Sequence, residues 1–507
     1  MAQKVLPYEY EIEGSKTGLT SLGGLPLYLD MAAATGLLSV IDRHLTARDG
    51  DQGWTDRQIV LSLIMLNLAG GDCVEDIEKL EGDEGFCRIF RKAEAMGLKR
   101  KERREQEKRW RKKRTRTFPS ASAIFRYLEK FHDEEQEKLR KPGKAFIPAA
   151  NAYLRALTII NRELIGSEPV KKTEATATLD MDATVALTLK LNALYSYKGE
   201  KAYQPLNTYW YERGVMLHTE FRDGNVPAGY EQLRILKEAL RQLPVGIKKV
   251  RLRSDTAGYQ HDLLRYCAEG KDERFGRIEF AIGCDVTQEF RRAVLAVPET
   301  DWKPLYRDIA GHAQETGRQW AEVCFVPAAL STSKKGPLYR FLATREELKQ
   351  GELPGMDKSD EEFLFPVLRM HEIRYKVFGV VTNMDWDGDK LITWSYQRCG
   401  KSEEAHATMK SDFAGGRFPS GDFGENAAWW GIMVLAYNLN VLLKRVALGG
   451  SWMNKRMKAM RFGIINIAGR VMEHARRLVV RIAGNHPSGE LLIEARRRIA
   501  LLAASPG

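Results

Sequence analysis

The chain has 507 residues, with 79 Lys+Arg against 67 Asp+Glu, a formal charge of +12. At roughly 100–200 residues per domain, that length implies three or four structural units. Hydrophobic (44%) and charged (29%) fractions are those of a folded globular chain and exclude wholesale disorder. Cysteines at 73, 87, 267, 284, 324 and 399 form no C-x-x-C pair, which excludes a zinc ribbon of usual spacing and argues against a disulfide scaffold. The N-terminus lacks a charged-then-apolar signal pattern. The longest mainly apolar stretch, Ala427–Leu443, is short for a membrane span and is interrupted by Asn438 and Asn440. The expectation is a buried helix in a cytoplasmic protein with no membrane partner.

Residues 1–170 read as mostly helical. Asp56–Ala69 has helical apolar spacing, with Thr55 as N-cap and Gly70-Gly71 as the stop. Asp72–Phe90 follows as one or two short helices, and Ser120–Phe131 is amphipathic, with Ile124, Tyr127, Leu128 and Phe131 facing inward. Short helices around a glycine corner fit a helix-turn-helix-like unit, although packing of any helical domain gives the same pattern. Within this region Lys99–Arg116 carries a net charge of +9, and Lys444–Gly507 carries +10, so the remainder is acidic. Two basic regions around an acidic middle point to a polyanion held from both ends; the alternative for each is a solvated charged face.

At Lys171 the pattern changes to strands. Ala175–Thr184, Leu206–Tyr211 and Val215–Phe221 precede a helix (Ala228–Leu243), a strand (Lys248–Arg253), a helix (Tyr259–Glu269) and a strand (Arg277–Ile282). The order β-β-β-α-β-α-β is that of an RNase H-like mixed sheet covered by helices, an α/β core. Residues 286–391, with turns such as SKKGP and ELPGM, break the regularity and read as a mixed, largely β insertion domain. Helix returns in 392–445, the second part of the core, and continues into a basic helical C-terminal region, 446–507.

Three places carry chemistry. In Leu179-Asp180-Met181-Asp182-Ala183-Thr184, side chains alternate, so both carboxylates share one face of a strand. Acidic residues oppose strand propensity, and such departures collect at functional positions; a solvated strand face is the alternative. Asp255, in Arg253-Ser254-Asp255-Thr256, follows a strand at the sheet edge where open α/β sheets bind ligands, although a helix N-cap explains it as well. Tyr396, Glu403 and Lys410 stand seven apart, so on one continuous helix they would line one stripe, with an exposed Glu/Lys face as the alternative. Three carboxylates from two strands and a helix suit a pair of Mg²⁺ ions, which take oxygen ligands and support phosphoryl transfer.

The LDMDAT strand, the RSD element and the Tyr-x6-Glu-x6-Lys segment resemble the DDE transposases of bacterial insertion sequences, in particular the group with a Tyr-Arg-Glu-Lys signature. The resemblance is good over roughly residues 170–445 and loose at the ends. It implies Asp182 as the first catalytic carboxylate, from its Asp-x-Thr context, with Asp180 as fallback. It implies Asp255 as the second and Glu403 as the third, with Glu404 as fallback but one residue out of register with Lys410. These would hold two Mg²⁺, replaceable by Mn²⁺, while Tyr396, Arg398 and Lys410 contact phosphates. The signature predicts Arg at 399, where this chain has Cys399 and carries Arg398 one place earlier. The implied activity binds terminal inverted repeats, cuts at the element ends and joins the 3′-OH to target DNA, as a homodimer on paired ends. Lys101, Arg104, Arg111 and Lys112 are the expected DNA contacts of the N-terminal basic segment. The rival readings are an RNase H-like nuclease without strand transfer and a catalytically dead DNA-binding relic.

Other features carry less. Gly400-Lys401-Ser402 resembles the end of a phosphate loop, but Ser395 stands where that loop requires glycine. Trp302 or Trp386 could stack on a flipped base, though insertion core explains each. Trp429-Trp430 is expected to pack the catalytic helix onto the sheet.

Overall fold

The computed structural model describes residues 10–12, 14, 17–48, 50–141, 143–309, 312–327, 339–348, 363, 365–475 and 477–504. The SKKGP and ELPGM turns lie outside them. By compactness the chain forms two units: residues 1–138, 149–168 and 408–507 in one, 139–148 and 169–407 in the other.

The first unit is helical. Thr55 caps the Asp56–Ala69 helix reciprocally: its hydroxyl accepts from the Gln58 backbone N–H at 3.3 Å, while Gln58 Oε1 accepts from the Thr55 N–H at 3.1 Å. Gly70, at φ +101, ends the helix in a conformation that glycine adopts without strain. Arg461 donates to the carbonyls of Asn67 and Leu68 at that end, where the helix itself offers them no partner. The helix packs against Phe423–Leu443, which packs in turn against Ala152–Gly166. Phe423–Leu443 is long and apolar enough to pass for a membrane span by composition, yet it is buried within this unit. The two asparagines that interrupt it are satisfied internally: Asn438 donates to Asn161 at 2.7 Å, and Asn440 accepts from the Tyr28 hydroxyl at 2.8 Å. Trp429 and Trp430 are buried on this same helix, and the Trp429 indole donates to the Ala414 carbonyl. They therefore serve the interior of the helical unit.

The C-terminal region departs from the helical expectation. Gly469–His474 and Arg477–Ile482 form an antiparallel hairpin that pairs with Leu19–Thr20, and among the described residues of 446–507 only Gly489–Ala504 is a long helix. The Arg-Leu-Val-Val-Arg-Ile run alternates between less and more exposed positions with period two, and its β-branched residues suit a half-buried strand.

The second unit is built on one ten-stranded sheet. In chain order its strands are β1 (Thr176–Ala183), β2 (Leu206–Trp210), β3 (Val215–Glu220), β4 (Lys249–Ser254), β5 (Glu279–Cys284), β6 (Lys303–Ile309), β7 (His312–Val323), β8 (Arg340–Glu347), β9 (Val367–Met370) and β10 (Ile373–Thr382). Helices α1 (Gln232–Gln242) and α2 (His261–Ala268) connect β3 to β4 and β4 to β5; α3 (Gln288–Leu295) follows β5. The spatial order is β3-β2-β1-β4-β5-β10-β8-β7-β6, with β9 on β10. β1, β4 and β5 are parallel, while β2 and β3 are antiparallel to their neighbours. The β-β-β-α-β-α-β order read from sequence is present, with ends shifted by a few residues. The strands of the expected insertion, β6–β10, extend this same sheet beyond β5. After β10 come α4 (Gly388–Tyr396) and α5 (Arg398–Ala407).

Candidate active site

β1 lies between β2 and β4, and residues 177–181 are buried. Its parallel register with β4 sets Asp180 opposite Arg253 and Met181 opposite Ser254. The Asp180 carboxylate accepts two hydrogen bonds from Arg253, at 2.6 and 2.9 Å, with both side chains fully buried. Arg253 also donates to the Trp394 carbonyl on α4 at 2.7 Å, and its guanidinium lies 4.3 Å from the Tyr211 ring centroid. Asp180 is thus committed to an internal ion pair.

Two residues on from Asp180, on the same face of β1, comes Asp182; two on from Arg253, just past the end of β4, comes Asp255. Asp255 follows β4 directly and accepts from the Ala257 N–H at 3.0 Å through one carboxyl oxygen, capping the short Thr256–Gly258 turn. That turn needs Gly258: a Cβ there would stand 2.6 Å from the Ser254 side chain. Asp182 is mostly buried and pairs with Arg398, whose Nη1 lies 2.9 Å from Asp182 Oδ2. Arg398 begins α5, which rests against β1 and carries Glu403, an exposed residue, as is Glu404. Burial lifts the Asp182 carboxyl to about 6; Arg398 opposes the rise, while the negative charges of Asp255 and Glu403 add to it. Asp182, Asp255 and Glu403 therefore share one electrostatic site within one unit.

The chemistry of this donor set, three carboxylates, fits a hard divalent cation. Their spacing is not yet that of a cage. Among the described residues, no three His, Cys, Asp or Glu side chains are grouped closely enough to hold a metal ion. Arg398 supplies the positive charge at Asp182 instead.

The single helical stripe expected for Tyr396, Glu403 and Lys410 does not form. α4 ends at Tyr396, α5 begins at Arg398, and Thr408–Asp412 is a π-helical turn, so the three residues fall on three elements. The Tyr396 hydroxyl is hydrogen-bonded to Thr344 of β8 at 2.9 Å, and burial raises its pKa. Lys410 belongs to the first unit. Cys399 is exposed. Residues missed from sequence are Arg253, Tyr211 and Lys401, which stands on α5 with its ammonium 4.4 Å from the Tyr211 centroid. Arg253 and Lys401 lie within segments that the sequence itself singles out, RSDT and GKS; Tyr211 does not.

Of the two tryptophans considered for stacking, Trp302 is buried beneath the Arg345 guanidinium, and Trp386 packs edge-on against Trp394.

In the first unit, the basic segment is partly folded into the structure. Arg109 donates to the Gly53 carbonyl at 2.9 Å, Arg114 binds the buried Glu94, and Trp110 packs edge-on against Trp54. Lys101, Arg104, Arg111 and Lys112 are exposed.

A family of known proteins shares this chain's pattern. Residues 9–504 match the family "Transposase DDE domain group 1". The chain belongs to the DDE transposases, a family of metal-dependent DNA phosphoryl-transfer enzymes. A cryo-EM structure of a piggyBac transposase synaptic complex with hairpin DNA is similar at 11% identity and a TM-score of 0.43, over 87% of this chain and 79% of that one. No curated protein matches significantly.

Proposed function

We propose that this chain is a cut-and-paste DNA transposase of the kind bacterial insertion sequences encode, with an RNase H-like catalytic core in its second unit. The observation that carries the reading is the placement of Asp182 at the end of β1 and Asp255 at the end of the neighbouring β4, with Glu403 on α5, the helix that rests against β1 and whose Arg398 pairs with Asp182. Two Mg²⁺ ions, or Mn²⁺ in their place, would be held by these carboxylates and would activate the attacking oxygen and stabilise the leaving one. The chain's own residues orient the DNA. Arg398 carries a bidentate fork suited to phosphate once released from Asp182, and Lys401 offers a second cation beside it. Lys410 is a further phosphate contact in this reading. Tyr396 acts through Thr344 to hold the end of α4, a structural role in place of the phosphate contact the signature implies. The helical unit would bind terminal inverted repeats, with Lys101, Arg104, Arg111 and Lys112 on phosphates, and two copies would pair two ends.

The test uses a labelled DNA carrying the element's own end, with Mg²⁺ or Mn²⁺, and compares wild type with Asp255→Ala. Metal-dependent nicking by wild type alone, followed by joining to target, is the expected result. Nicking without joining would leave a nuclease. Binding without cleavage by both proteins would leave a DNA-binding relic.

A further inference from the structure

Four residues after Asp182 the chain enters a short ribbon, Ala186–Leu187 against Ala202–Tyr203, closed by the loop 188–201. The loop has a firm base. Ala193 and Ser196 are buried, and the Leu194 N–H donates to Asp223, itself buried and paired with Arg140. Gly224 lies so close beneath it that a Cβ would stand 2.5 Å from the Leu194 carbonyl oxygen. Lys201 donates to the Leu191 carbonyl at 2.7 Å and pairs through its backbone with Tyr195.

On that base the loop presents what a folded chain ordinarily hides. Leu189 is fully exposed, Leu191 is 83% exposed, Tyr197 77% and Tyr195 63%. Large apolar side chains concentrated in one short loop mark an interaction surface. The lysine ammoniums of 198 and 201 lie 5.7 and 6.0 Å from the Tyr197 and Tyr195 ring centroids. Leucine has no hydrogen-bonding group with which to read a base edge or hold a phosphate. The broadest apolar surface on DNA is the base face, and it is available only where stacking has been opened. Lysine beside tyrosine answers the phosphates next to such a base.

We propose that the 188–201 loop is a wedge that opens the terminal base pairs of DNA at the Asp182 site: Leu189 and Leu191 enter the stack, Tyr195 and Tyr197 receive the displaced bases, and Lys198 and Lys201 meet their phosphates. The proposal rests on the transposase reading above. It gives the enzyme a sequence-tolerant device, because every base has a face to stack on.

The experiment places 2-aminopurine, which brightens when unstacked, at the terminal pairs of the element's end. Wild type is compared with Leu189→Ser/Leu191→Ser and with Tyr195→Ala/Tyr197→Ala, each checked for a native circular dichroism spectrum. Wild type is expected to raise the fluorescence. The variants are expected to lose the rise and to cut the paired end about tenfold more slowly, while binding internal duplex unchanged and recovering on an end with mismatched terminal pairs. Wild type that cuts while the variants open the end equally well overturns the wedge alone. A fall in sedimentation mass in the variants assigns the surface to a second copy of the chain and also overturns it. Wild type that does not cut the end overturns the transposase reading together with the wedge.

Discussion

Asp180 and Arg253 face each other across two adjacent parallel strands and are joined by two hydrogen bonds in full burial. The same register that hides this pair brings Asp182, near the end of β1, and Asp255, just past the end of β4, to neighbouring strand ends. The structural pair and the candidate catalytic pair are thus fixed together.

Breaking the inner pair should therefore be felt twice. Arg253→Met leaves a buried carboxylate without a partner, at an expected cost of about 3–5 kcal/mol. Asp180→Leu combined with Arg253→Met should recover much of that loss, because neither charge remains. Denaturant unfolding of both variants and the wild type measures the difference. Equal destabilisation by the single and double variants would contradict it.

Arg398 competes for Asp182 with any cation that arrives from solvent. Removing its charge in Arg398→Gln should tighten Mg²⁺ binding by the DNA-free protein by about tenfold, the equivalent of roughly 1.4 kcal/mol. Isothermal titration of the free protein reads this directly. End cleavage by the same variant should fall, since the phosphate loses its bidentate partner.

Asp182 titrates near 6 when folded, against an ordinary value of 3.8. Between these values the folded chain keeps a proton that the unfolded chain has released. The group's stabilising contribution is complete below the lower value and is lost as pH rises through the upper one. The metal-free protein should accordingly lose on the order of 2–3 kcal/mol between about pH 4 and 6 from this group. Asp182→Asn should flatten that slope in unfolding experiments followed against pH.

The basic segment divides into two kinds of residue. Replacing the exposed Arg104, Arg111 and Lys112 with alanine should weaken binding to any duplex and lower the slope of log K against log salt by about 0.9 for each phosphate that is no longer neutralised. Fold stability should not change. Arg114→Ala should do the reverse: stability falls by roughly 3 kcal/mol, because Glu94 is left buried without its charged partner, holding only the Gln58 amide.

Much of the second unit is legible in the sequence because its signals are local. The run from Thr176 to Cys284 alternates or switches period at each element, and Thr55 with Gln58 announces a helix start within four residues. What escapes depends on pairing across long separations. Nothing near Arg253 says that it will meet Asp180, 73 positions away, and so remove the fallback carboxylate from the open site. The Tyr396–Lys410 stripe fails for a different reason. Seven-residue spacing holds a face only on an unbroken α-helix, and neither the break at Gln397 nor the π turn at Thr408–Asp412 has a proline to announce it. The hairpin at Gly469–Ile482 reads as helix because its arginines draw attention to charge over alternation.

The helical unit is assembled from three separate stretches of chain, the last beginning at residue 408. A ribosome therefore releases Asp56–Ala69 long before it makes Phe423–Leu443, the helix that covers it. Over that interval the apolar faces of the early helix have no native cover, which is the condition under which nascent chains aggregate or recruit chaperones. A chain that stops before that point leaves Asp56–Ala69 without the helix that covers it.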